Sequence, residues 1–283
     1  HQRPQPRWPM TDSVRVPDSA LVNLAARVAR VAGDMVAAGR RDGALSVDTK
    51  STTVDLVTQW DRASEQYIVG ELRRLRPEDG IVGEEGSRID GSSGIAWHVD
   101  PIDGTTNFAY GLAGYAVSIG AVDASGPVAG VVYLPASREL FTATRGGGAF
   151  LGARRLRASS ATELATSLIA TGFSYSAERR ARQGRRIAAM LPHVRDIRRL
   201  GAAAADLCYV ADGRVDAYFE ENLNSWDMVA GTLIATEAGA VATDFDGGPI
   251  RPSHVLVAAP GIHRDLRNLI ATATDVAPHP DHT

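Results

Sequence analysis

Hydrophobic and polar residues follow a helical period near the start of the chain. Apolar side chains recur at steps of three and four residues between positions 18 and 39, which predicts an amphipathic helix. Gly39 is the expected end of this helix, because glycine is typical of helix termini. A second helix is predicted over residues 61–76, where Pro77 prevents its continuation.

Short apolar runs bounded by glycine and proline predict strands in the next part of the chain. Two buried strands are expected at residues 81–82 and 95–99, and an extended run is expected at 55–58. Three further runs are separated by turn residues, which is the pattern of an antiparallel meander. They cover residues 115–122, 128–134 and 139–144, and a glycine-rich turn at 145–148 leads into residues 149–151.

In the second half of the chain, predicted strands and helices alternate. The strands are expected at 167–171, 196–199, 215–220, 241–245 and 254–259, and the helices at 176–190, 202–211, 226–238 and 262–272. A polar stretch, residues 152–160, separates the two patterns. We therefore expect an α/β (mixed α+β) fold, with an N-terminal α+β half, residues 1–155, that carries most of the candidate ligands, and a C-terminal α/β half, residues 156–283.

The composition narrows the class of protein further. A hydrophobic content of 44% with 22% charged residues indicates a globular chain. A net charge of −3 provides no basic field for a nucleic-acid backbone, so no nucleic-acid partner is required. The one cysteine, Cys208, fits a reducing compartment and predicts a cytoplasmic location. No apolar run approaches the ~18 residues of a membrane span. Residues 1–9 precede Met10 and are expected to be an upstream extension.

The segment DPIDGTTNF, residues 100–108, carries the strongest chemical signal, directly after an apolar strand. Pro101 fixes its own φ and pushes Asp100 towards extended geometry, so we expect Asp100 at the end of the strand. The chain is then expected to turn and bring Asp103 back beside Asp100. Two carboxylates and a loop carbonyl form a hard, all-oxygen site that suits Mg²⁺.

Three other segments supply acidic groups in matching positions. Glu84 follows the short strand 81–82, Asp61 opens a helix, and Asp227 opens the helix 226–238, where the helix dipole favours an anion. Each acid alone is typical of a helix cap or a surface carboxylate. Together with the 100–108 loop, they indicate one acidic site.

These segments resemble the inositol monophosphatase family of Mg²⁺-dependent, Li⁺-sensitive phosphatases. The resemblance extends from Lys50, the only lysine of the chain, to beyond Gly239. It depends on the segments DLVTQWD (55–61), GEEG (83–86), DPIDGTTNF (100–108) and SWDMVAGTLIATEAGA (225–240). The family implies a layered αβαβα sugar-phosphatase fold that is usually a homodimer.

The resemblance also implies a role for each matching residue. The metal ligands would be Glu84, Asp100, the main-chain carbonyl of Ile102, Asp103 and Asp227. Asp61 and Thr105 would hold and activate the attacking water, and the catalytic group would also include Glu84 and Lys50. The phosphate would lie on Gly104, Thr105 and Thr106. The remaining substrate contacts would come from Asp103, Gly201, Ala202, Ala203, Glu220 and Asp227.

Charge balance supports bound cations independently of the resemblance. The five acids of the site would place about five negative charges in one pocket, which is costly without cations. A phosphate monoester adds about two more. We therefore expect roughly two or three Mg²⁺ ions per site, which would activate water and stabilise the leaving group.

The DGTTNF form of the loop resembles the inositol type within this superfamily. We therefore predict Mg²⁺-dependent hydrolysis of myo-inositol 1-phosphate by a metal-activated water. Histidinol phosphate and fructose 1,6-bisphosphate are alternative substrates on the same fold, and Glu220 fits either polyol hydroxyls or the ammonium of histidinol phosphate. An additional non-catalytic role, associated with transcription or ribosome maturation, is a further alternative. The presence of every expected carboxylate and of Thr105 argues against an inactive enzyme.

Overall fold

The structure, a computed structural model, describes residues 18–42, 45–50 and 56–274. The expected extension at residues 1–9 and the Asp55 position of the predicted extended run lie outside these ranges. Within them the helices are α1 (Asp18–Asp42), α2 (Gln59–Leu75), α3 (Thr105–Tyr110), α4 (Ala177–Met190), α5 (Ala203–Ala211), α6 (Ser225–Glu237) and α7 (His263–Thr274). Two short 3₁₀ turns cover Leu164–Thr166 and Leu191–His193.

The strands fall into two large sheets and one small hairpin. They are β1 (Val47–Thr49), β2 (Leu56–Thr58), β3 (Gly80–Gly83), β4 (Arg88–Ile89), β5 (Ala96–Asp103), β6 (Ala116–Asp123), β7 (Gly126–Leu134), β8 (Glu139–Thr144), β9 (Gly148–Leu151), β10 (Arg154–Arg155), β11 (Leu168–Thr171), β12 (Asp196–Arg198), β13 (Ala217–Glu221), β14 (Val241–Thr243) and β15 (His254–Ala258). In the described chain β1 pairs only with β2, and the other strands form sheets of eight and five strands.

The larger sheet has the order β10-β9-β8-β7-β6-β5-β3-β4. All of its neighbouring strands are antiparallel except β3 and β5, so the predicted meander over β6, β7 and β8 is confirmed. The smaller sheet has the order β12-β11-β13-β15-β14, with β11 parallel to both of its neighbours. The second sheet is therefore mixed, because β13, β15 and β14 pair antiparallel.

Alternation along the strands assigns the helices to three layers. On β7, Val131 packs with α1 and α2, whereas Val132 packs with α5 and α6. On β13, Tyr218 faces α5 and α6, whereas Phe219 packs with α4 and α7. Successive strand residues point to opposite faces, so helices cover both sides of each sheet. The layer order is helix, sheet, helix, sheet, helix, which confirms the predicted αβαβα fold.

Two glycines allow the central helix layer to approach the larger sheet closely. Gly120 and Gly130 lie opposite each other on β6 and β7. A Cβ atom at Gly120 would meet Val229 at 2.5 Å, and one at Gly130 would meet the carbonyl oxygen of Ala230 at 2.8 Å. Because both neighbours belong to α6, a helix of the C-terminal half packs directly on the N-terminal sheet.

Several predicted boundaries were wrong. Helix α1 continues through Gly39 to Asp42. Glycine stands inside this helix because the indole ring of Trp60 occupies the space that a side chain at position 39 would need. Strand β5 does not end at Asp100. It continues to Asp103, with a register shift against β6 between the two aspartates. Pro101 is tolerated in this bulge, where the ladder needs no N–H from it.

Some short elements left no readable pattern in the sequence. Helix α3, strands β1, β4 and β10, and the two 3₁₀ turns were not predicted. None of these strands exceeds three residues, which is too short to show an alternation. Within the described ranges, no helix is long and apolar enough to cross a membrane.

Candidate active site

Asp61 occupies the first turn of α2, where it also caps the helix. Its Oδ2 accepts hydrogen bonds from the Thr58 amide at 2.7 Å and from the Thr58 hydroxyl at 2.6 Å. This capping box satisfies the free donors at the helix start. The other oxygen, Oδ1, accepts from the Thr105 hydroxyl at 2.9 Å. Asp61 therefore uses one oxygen for the helix and presents the other to the 100–108 loop.

Thr105 connects Asp61 to the main chain of the same loop. Its hydroxyl oxygen lies 2.9 Å from Asp61 Oδ1 and 3.0 Å from the carbonyl oxygen of Ile102. A hydroxyl has one proton, so it donates to one of these acceptors at a time. Gly104, just before α3, has a left-handed φ of 86°, and a Cβ there would meet the Gly114 carbonyl oxygen at 2.9 Å. The loop can take this path only with glycine at position 104.

The loop after β3 brings Glu84 and Lys50 together. Lys50 Nζ lies 2.8 Å from Glu84 Oε1 and also forms a short ion pair with Glu85. Glu65 on α2 fixes this loop, because its carboxylate accepts from the amides of Glu85 at 2.7 Å and Ser87 at 3.0 Å. Burial lowers the pKa of Lys50, but the two carboxylates outweigh it and raise the pKa above its ordinary value. Lys50 is therefore a fixed positive charge at the edge of the acidic cluster.

Asp103 joins the two halves of the chain. Its carboxylate accepts hydrogen bonds from the amide of Ala203 at 3.1 Å and the amide of Ala204 at 2.7 Å. These amides begin α5, whose N-cap residue, Ala202, offers no side-chain cap. An anion at this position satisfies free amides and interacts favourably with the helix dipole. The carboxylate of the first half thus caps a helix of the second.

Asp227 repeats on α6 the arrangement of Asp61 on α2. Its Oδ2 accepts from the Asn224 amide at 2.6 Å within a capping box. Within the same helical turn, Ser225 Oγ lies 2.7 Å from Nδ1 of His98 on β5. His98 is therefore a hydrogen-bonded residue of strand β5. This bond anchors the start of α6 to the larger sheet.

Burial and mutual repulsion raise the pKa values of the acids in the site. Burial, then repulsion from Glu84, raises the pKa of Asp100 well above its usual range. Burial and the charge of Asp227 do the same to the pKa of Asp103. Burial raises the pKa of Asp227 to about 6 and also raises the pKa of Glu84. Without a cation, the site therefore resists carrying its full negative charge.

Asp100 is surrounded by the other acids of the site. Its side chain is 2% exposed, and the charges of Glu84 and Asp227 both act on its carboxyl group. The charged form of Asp100 is therefore unfavourable unless a proton or a cation compensates it.

These acids hold other partners in the conformation observed. Lys50 holds Glu84, and main-chain amides hold Asp103 and Asp227. Across residues 18–42, 45–50 and 56–274, no three carboxylate, imidazole or thiolate side chains are gathered as a formed metal site. Lys50 occupies one carboxylate oxygen of Glu84, Oε1.

The donor atoms nevertheless fit a hard divalent cation. Glu84 Oε2 is buried and has no hydrogen-bond partner within the described chain. An unpaired buried carboxylate oxygen costs free energy that a cation would recover. The surrounding donors are carboxylate oxygens of Glu84, Asp100 and Asp227 and the carbonyl of Ile102. An all-oxygen set of this kind suits Mg²⁺ rather than a thiolate- or imidazole-binding metal.

One cavity of about 610 Å³ collects most of the predicted residues. They line it from both halves of the chain and comprise Lys50, Glu84, Asp100, Ile102, Asp103, Gly104, Thr105, Gly201, Ala202, Ala203, Glu220 and Asp227. Asp61 and Thr106 do not line the cavity. Asp61, fully buried, reaches it only through Thr105.

Glu220 lies on β13 at the side of the cavity formed by the second half. Burial raises its pKa to about 7, although the hydroxyl of Tyr218 and the charge of Arg199 oppose the shift. The Tyr218 hydroxyl donates to Glu220 Oε2. Gly172 makes room for this carboxyl group, since a Cβ at position 172 would overlap it.

Three acidic residues around the site were missed at the sequence level. Glu85 pairs with Lys50, Glu65 holds the loop of Glu84, and Asp206 lines the cavity from α5. The adjacent acids in GEEG pointed to Glu85, but nothing in the sequence pointed to Glu65. Asp206 left a signal, because it is the one charged residue in the apolar run AAAADLCYVA.

Comparisons of the sequence give a consistent relationship to known proteins. The model of the inositol monophosphatase family matches residues 18–278. The Nus factor SuhB of Pasteurella multocida is 43% identical over 256 residues, which covers 88% of this chain and 95% of the relative. The inositol-1-monophosphatase of Mycobacterium bovis is also 43% identical over 256 residues, covering 86% of this chain and 87% of that protein.

Solved structures agree with the sequence relatives. The extragenic suppressor protein suhB of Bartonella henselae has a TM-score of 0.85 at 38% identity, covering 89% of this chain and 98% of its own. The Thermotoga maritima IMPase has a TM-score of 0.83 at 32% identity, covering 90% of this chain and 98% of its own.

Proposed function

The chain belongs to the inositol monophosphatase family, and on that premise we propose that it is a Mg²⁺-dependent phosphatase of myo-inositol 1-phosphate. Membership makes the chain a phosphoric monoester hydrolase that acts on small phosphate esters. The metal, the substrate and the roles of individual residues are proposed here. The observation that carries the proposal is the acidic cavity, in which burial and mutual repulsion raise the pKa values of Glu84, Asp100 and Asp227.

The proposed metal ligands are Glu84, Asp100, the Ile102 carbonyl, Asp103 and Asp227. When bound, Mg²⁺ lowers the pKa of a water molecule and neutralises charge on the phosphate oxygens. We propose two or three ions per site, in keeping with the charge that the acids and a phosphate would bring together.

Asp61 and Thr105 are proposed to position the attacking water. The Thr105 hydroxyl donates its proton to Asp61 Oδ1 at 2.9 Å. Its oxygen then retains lone pairs that can accept a hydrogen bond from water. Burial raises the pKa of Asp61, which improves the carboxylate as the final acceptor of a proton passed through Thr105. Lys50 is proposed to provide a fixed positive charge beside Asp61 and Thr105.

The remaining proposed contacts divide between the phosphate and the alcohol. Gly104, Thr105 and Thr106 are proposed to contact the phosphate. Gly201, Ala202 and Ala203 also line the cavity, and these small residues leave space for the alcohol. Glu220 is proposed to accept hydrogen bonds from hydroxyl groups of the alcohol, since its carboxyl group lies in the same cavity.

Phosphate release from myo-inositol 1-phosphate, measured over a Mg²⁺ titration, tests the proposal. Wild-type protein should require Mg²⁺, and Asp100→Asn should lose about 100-fold or more in kcat/KM, because removal of a metal ligand costs several kcal/mol. Calorimetric Mg²⁺ titration should show weakened binding by the same variant. Asp265→Asn, an exposed position on α7, is the matched control. Undiminished activity of Asp100→Asn would refute the assigned loop.

The substrate is tested separately from the reaction class. Histidinol phosphate and fructose 1,6-bisphosphate, assayed on the same preparation, should give lower kcat/KM values than myo-inositol 1-phosphate. Much faster hydrolysis of histidinol phosphate would overturn the inositol substrate but leave the phosphatase proposal intact.

A second candidate function follows from the relatives called Nus factor SuhB. At 43% identity over most of the chain, this name supports an additional role in association with the transcription machinery. Affinity purification of the tagged chain should then recover RNA polymerase, and Asp100→Asn should recover it equally well. The absence of polymerase from both preparations would remove this candidate. A homodimer and a cytoplasmic location stay predictions.

A further inference from the structure

Asp206 is a buried carboxylate of the cavity to which neither the resemblance nor the proposed mechanism gives a task. It is the fourth residue of α5, and only 1% of its surface is exposed. Its neighbours along the helix are alanine, leucine, cysteine, tyrosine and valine. A charged residue within such a helix, in the central layer of the fold, loses its hydration when the chain folds.

The carboxyl group of Asp206 is also incompletely paired. Its Oδ1 is buried and has no hydrogen-bond partner among the residues that the structure describes. Removing such a group would relieve a desolvation cost, since a buried acceptor without a donor is unfavourable. By contrast, Asp216, a short distance along the chain, accepts from the Ser159 hydroxyl at 2.6 Å and the Leu168 amide at 2.7 Å.

Asp206 lines the same cavity as Glu220 and Asp103. The charges of Asp103 and Glu220 both act on its carboxyl group, and Arg199 opposes them. Small residues, Ala202 and Ala203, line the same cavity. Asp206 and Glu220 therefore supply two carboxyl groups to the cavity in which the alcohol of a substrate is proposed to bind.

The charges around this pair select for a neutral ligand with hydrogen-bond donors. Two carboxyl groups repel a second phosphate. The guanidinium of Arg199, which acts on both Asp206 and Glu220, opposes a ligand ammonium. Hydroxyl groups carry no charge and can donate to the open lone pairs. We propose that Asp206 binds a hydroxyl group of a polyol phosphate, acting with Glu220 as a specificity residue for adjacent hydroxyls.

This proposal builds on the proposed phosphatase function, so its test contains a measurement that does not depend on turnover. A carboxylate retained for a ligand differs from a structural one in the sign of its effect on stability. Asp206→Ala should leave the thermal midpoint of the ligand-free protein unchanged or raise it, because a buried acceptor without a donor is removed. Asp216→Ala, which breaks two hydrogen bonds, should lower it. A lower midpoint for Asp206→Ala would identify a structural carboxylate and overturn the proposal.

The second measurement compares two substrates on the same variants. The ratio of kcat/KM for myo-inositol 1-phosphate to kcat/KM for p-nitrophenyl phosphate, which lacks hydroxyl groups, should fall about 10- to 100-fold in Asp206→Ala, as expected for one hydrogen bond to a charged group. Asp206→Asn, which keeps an acceptor oxygen, should fall less. Asp216→Ala should keep the wild-type ratio.

An unchanged ratio in Asp206→Ala would overturn the hydroxyl contact, as would a loss confined to histidinol phosphate. If the wild-type protein hydrolyses neither compound, the proposed function fails. The role of Asp206 is then judged by calorimetric binding of myo-inositol 1-phosphate in the presence of Mg²⁺. Equal affinity of wild type and Asp206→Ala would overturn it in that case.

Discussion

Asp61 and Asp227 show how one residue can serve both a helix and a reaction. Each is the third residue of its helix, and one oxygen of its carboxylate accepts the hydrogen bonds of a capping box. The oxygen Oδ1 of Asp61 then faces Thr105, and Asp227 lines the acidic cavity. A cap and a functional acid are therefore not alternative explanations for these residues. The cap fixes the side-chain rotamer, which a catalytic or ligand position requires.

The pKa of Glu220 predicts a pH dependence of stability at the residue scale. Burial raises this pKa to about 7, so between pH ~4.5 and ~7 the folded protein binds more protons than the unfolded chain. Stability should fall as pH rises through that window. In metal-free urea denaturation, the free energy of unfolding of wild type minus that of Glu220→Gln should decrease by about 1–3 kcal/mol across it.

The neutral glutamine side chain makes Glu220→Gln the matched reference, since other titrating groups cancel in the difference. A difference that stays flat from pH ~4.5 to ~7 would contradict the raised pKa. A difference that increases with pH would indicate a lowered one.

At the scale of elements, glycines decide how closely helices approach their neighbours. Gly39 remains inside α1 and receives the indole ring of Trp60, which a Cβ atom would approach to 2.1 Å. On the larger sheet, Gly120 and Gly130 receive α6 in the same manner. At these positions, the absence of a side chain allows a neighbouring element to pack directly on the backbone. Glycine also lowers the intrinsic stability of the helix or strand that contains it.

Two glycine-to-alanine changes in helices should therefore have opposite effects. Gly39→Ala should lower the free energy of unfolding by about 1–3 kcal/mol, because the added methyl group overpacks against Trp60. Gly70→Ala, in an exposed position of α2 with no atom within 4 Å of the added Cβ, should raise it by about 0.5–1 kcal/mol. Urea denaturation of both variants checks the pair. Stabilisation by Gly39→Ala would show that α1 and Trp60 are not in contact.

At the scale of the whole molecule, the central helix layer holds the two sheets together. The largest hydrophobic cluster combines residues of both sheets with α5 and α6, among them Val132 and Tyr218. Asp103 adds a polar connection, because it bonds the amides that begin α5. The division at residue 155 is consequently a boundary between sheets along the chain, and its meaning as a domain boundary stays a prediction.

Expression of residues 1–155 alone tests whether the first half folds independently. We expect no cooperative thermal transition and strong binding of a hydrophobic dye. The reason is that the sheet face carrying Ala116, Val132 and Phe141 loses the cover of α5 and α6. Addition of residues 156–283 should reduce dye binding. A sharp transition of the 1–155 fragment without dye binding would instead establish an independent domain.

The sequence by itself determined the class of fold and the family, and it singled out acids that line the cavity. Long periodic stretches predicted α2, β8 and α6 to within about two residues, which is the precision expected of element boundaries. The segments around Glu84, Asp100 and Asp227 were recognisable because a strand end or a helix start leaves a local pattern in the chain. The lone carboxylate in the run AAAADLCYVA was visible too, but not its purpose.

Only the tertiary structure decided how these segments combine. The contact of Trp60 with Gly39, the bond from Asp103 to α5 and the support of the Glu84 loop by Glu65 all join residues that lie 20 or more positions apart. The burial of Asp206 beside Glu220 was likewise decided only by the tertiary structure. Local patterns report backbone preference and amphipathicity, whereas packing and desolvation depend on which distant segments meet.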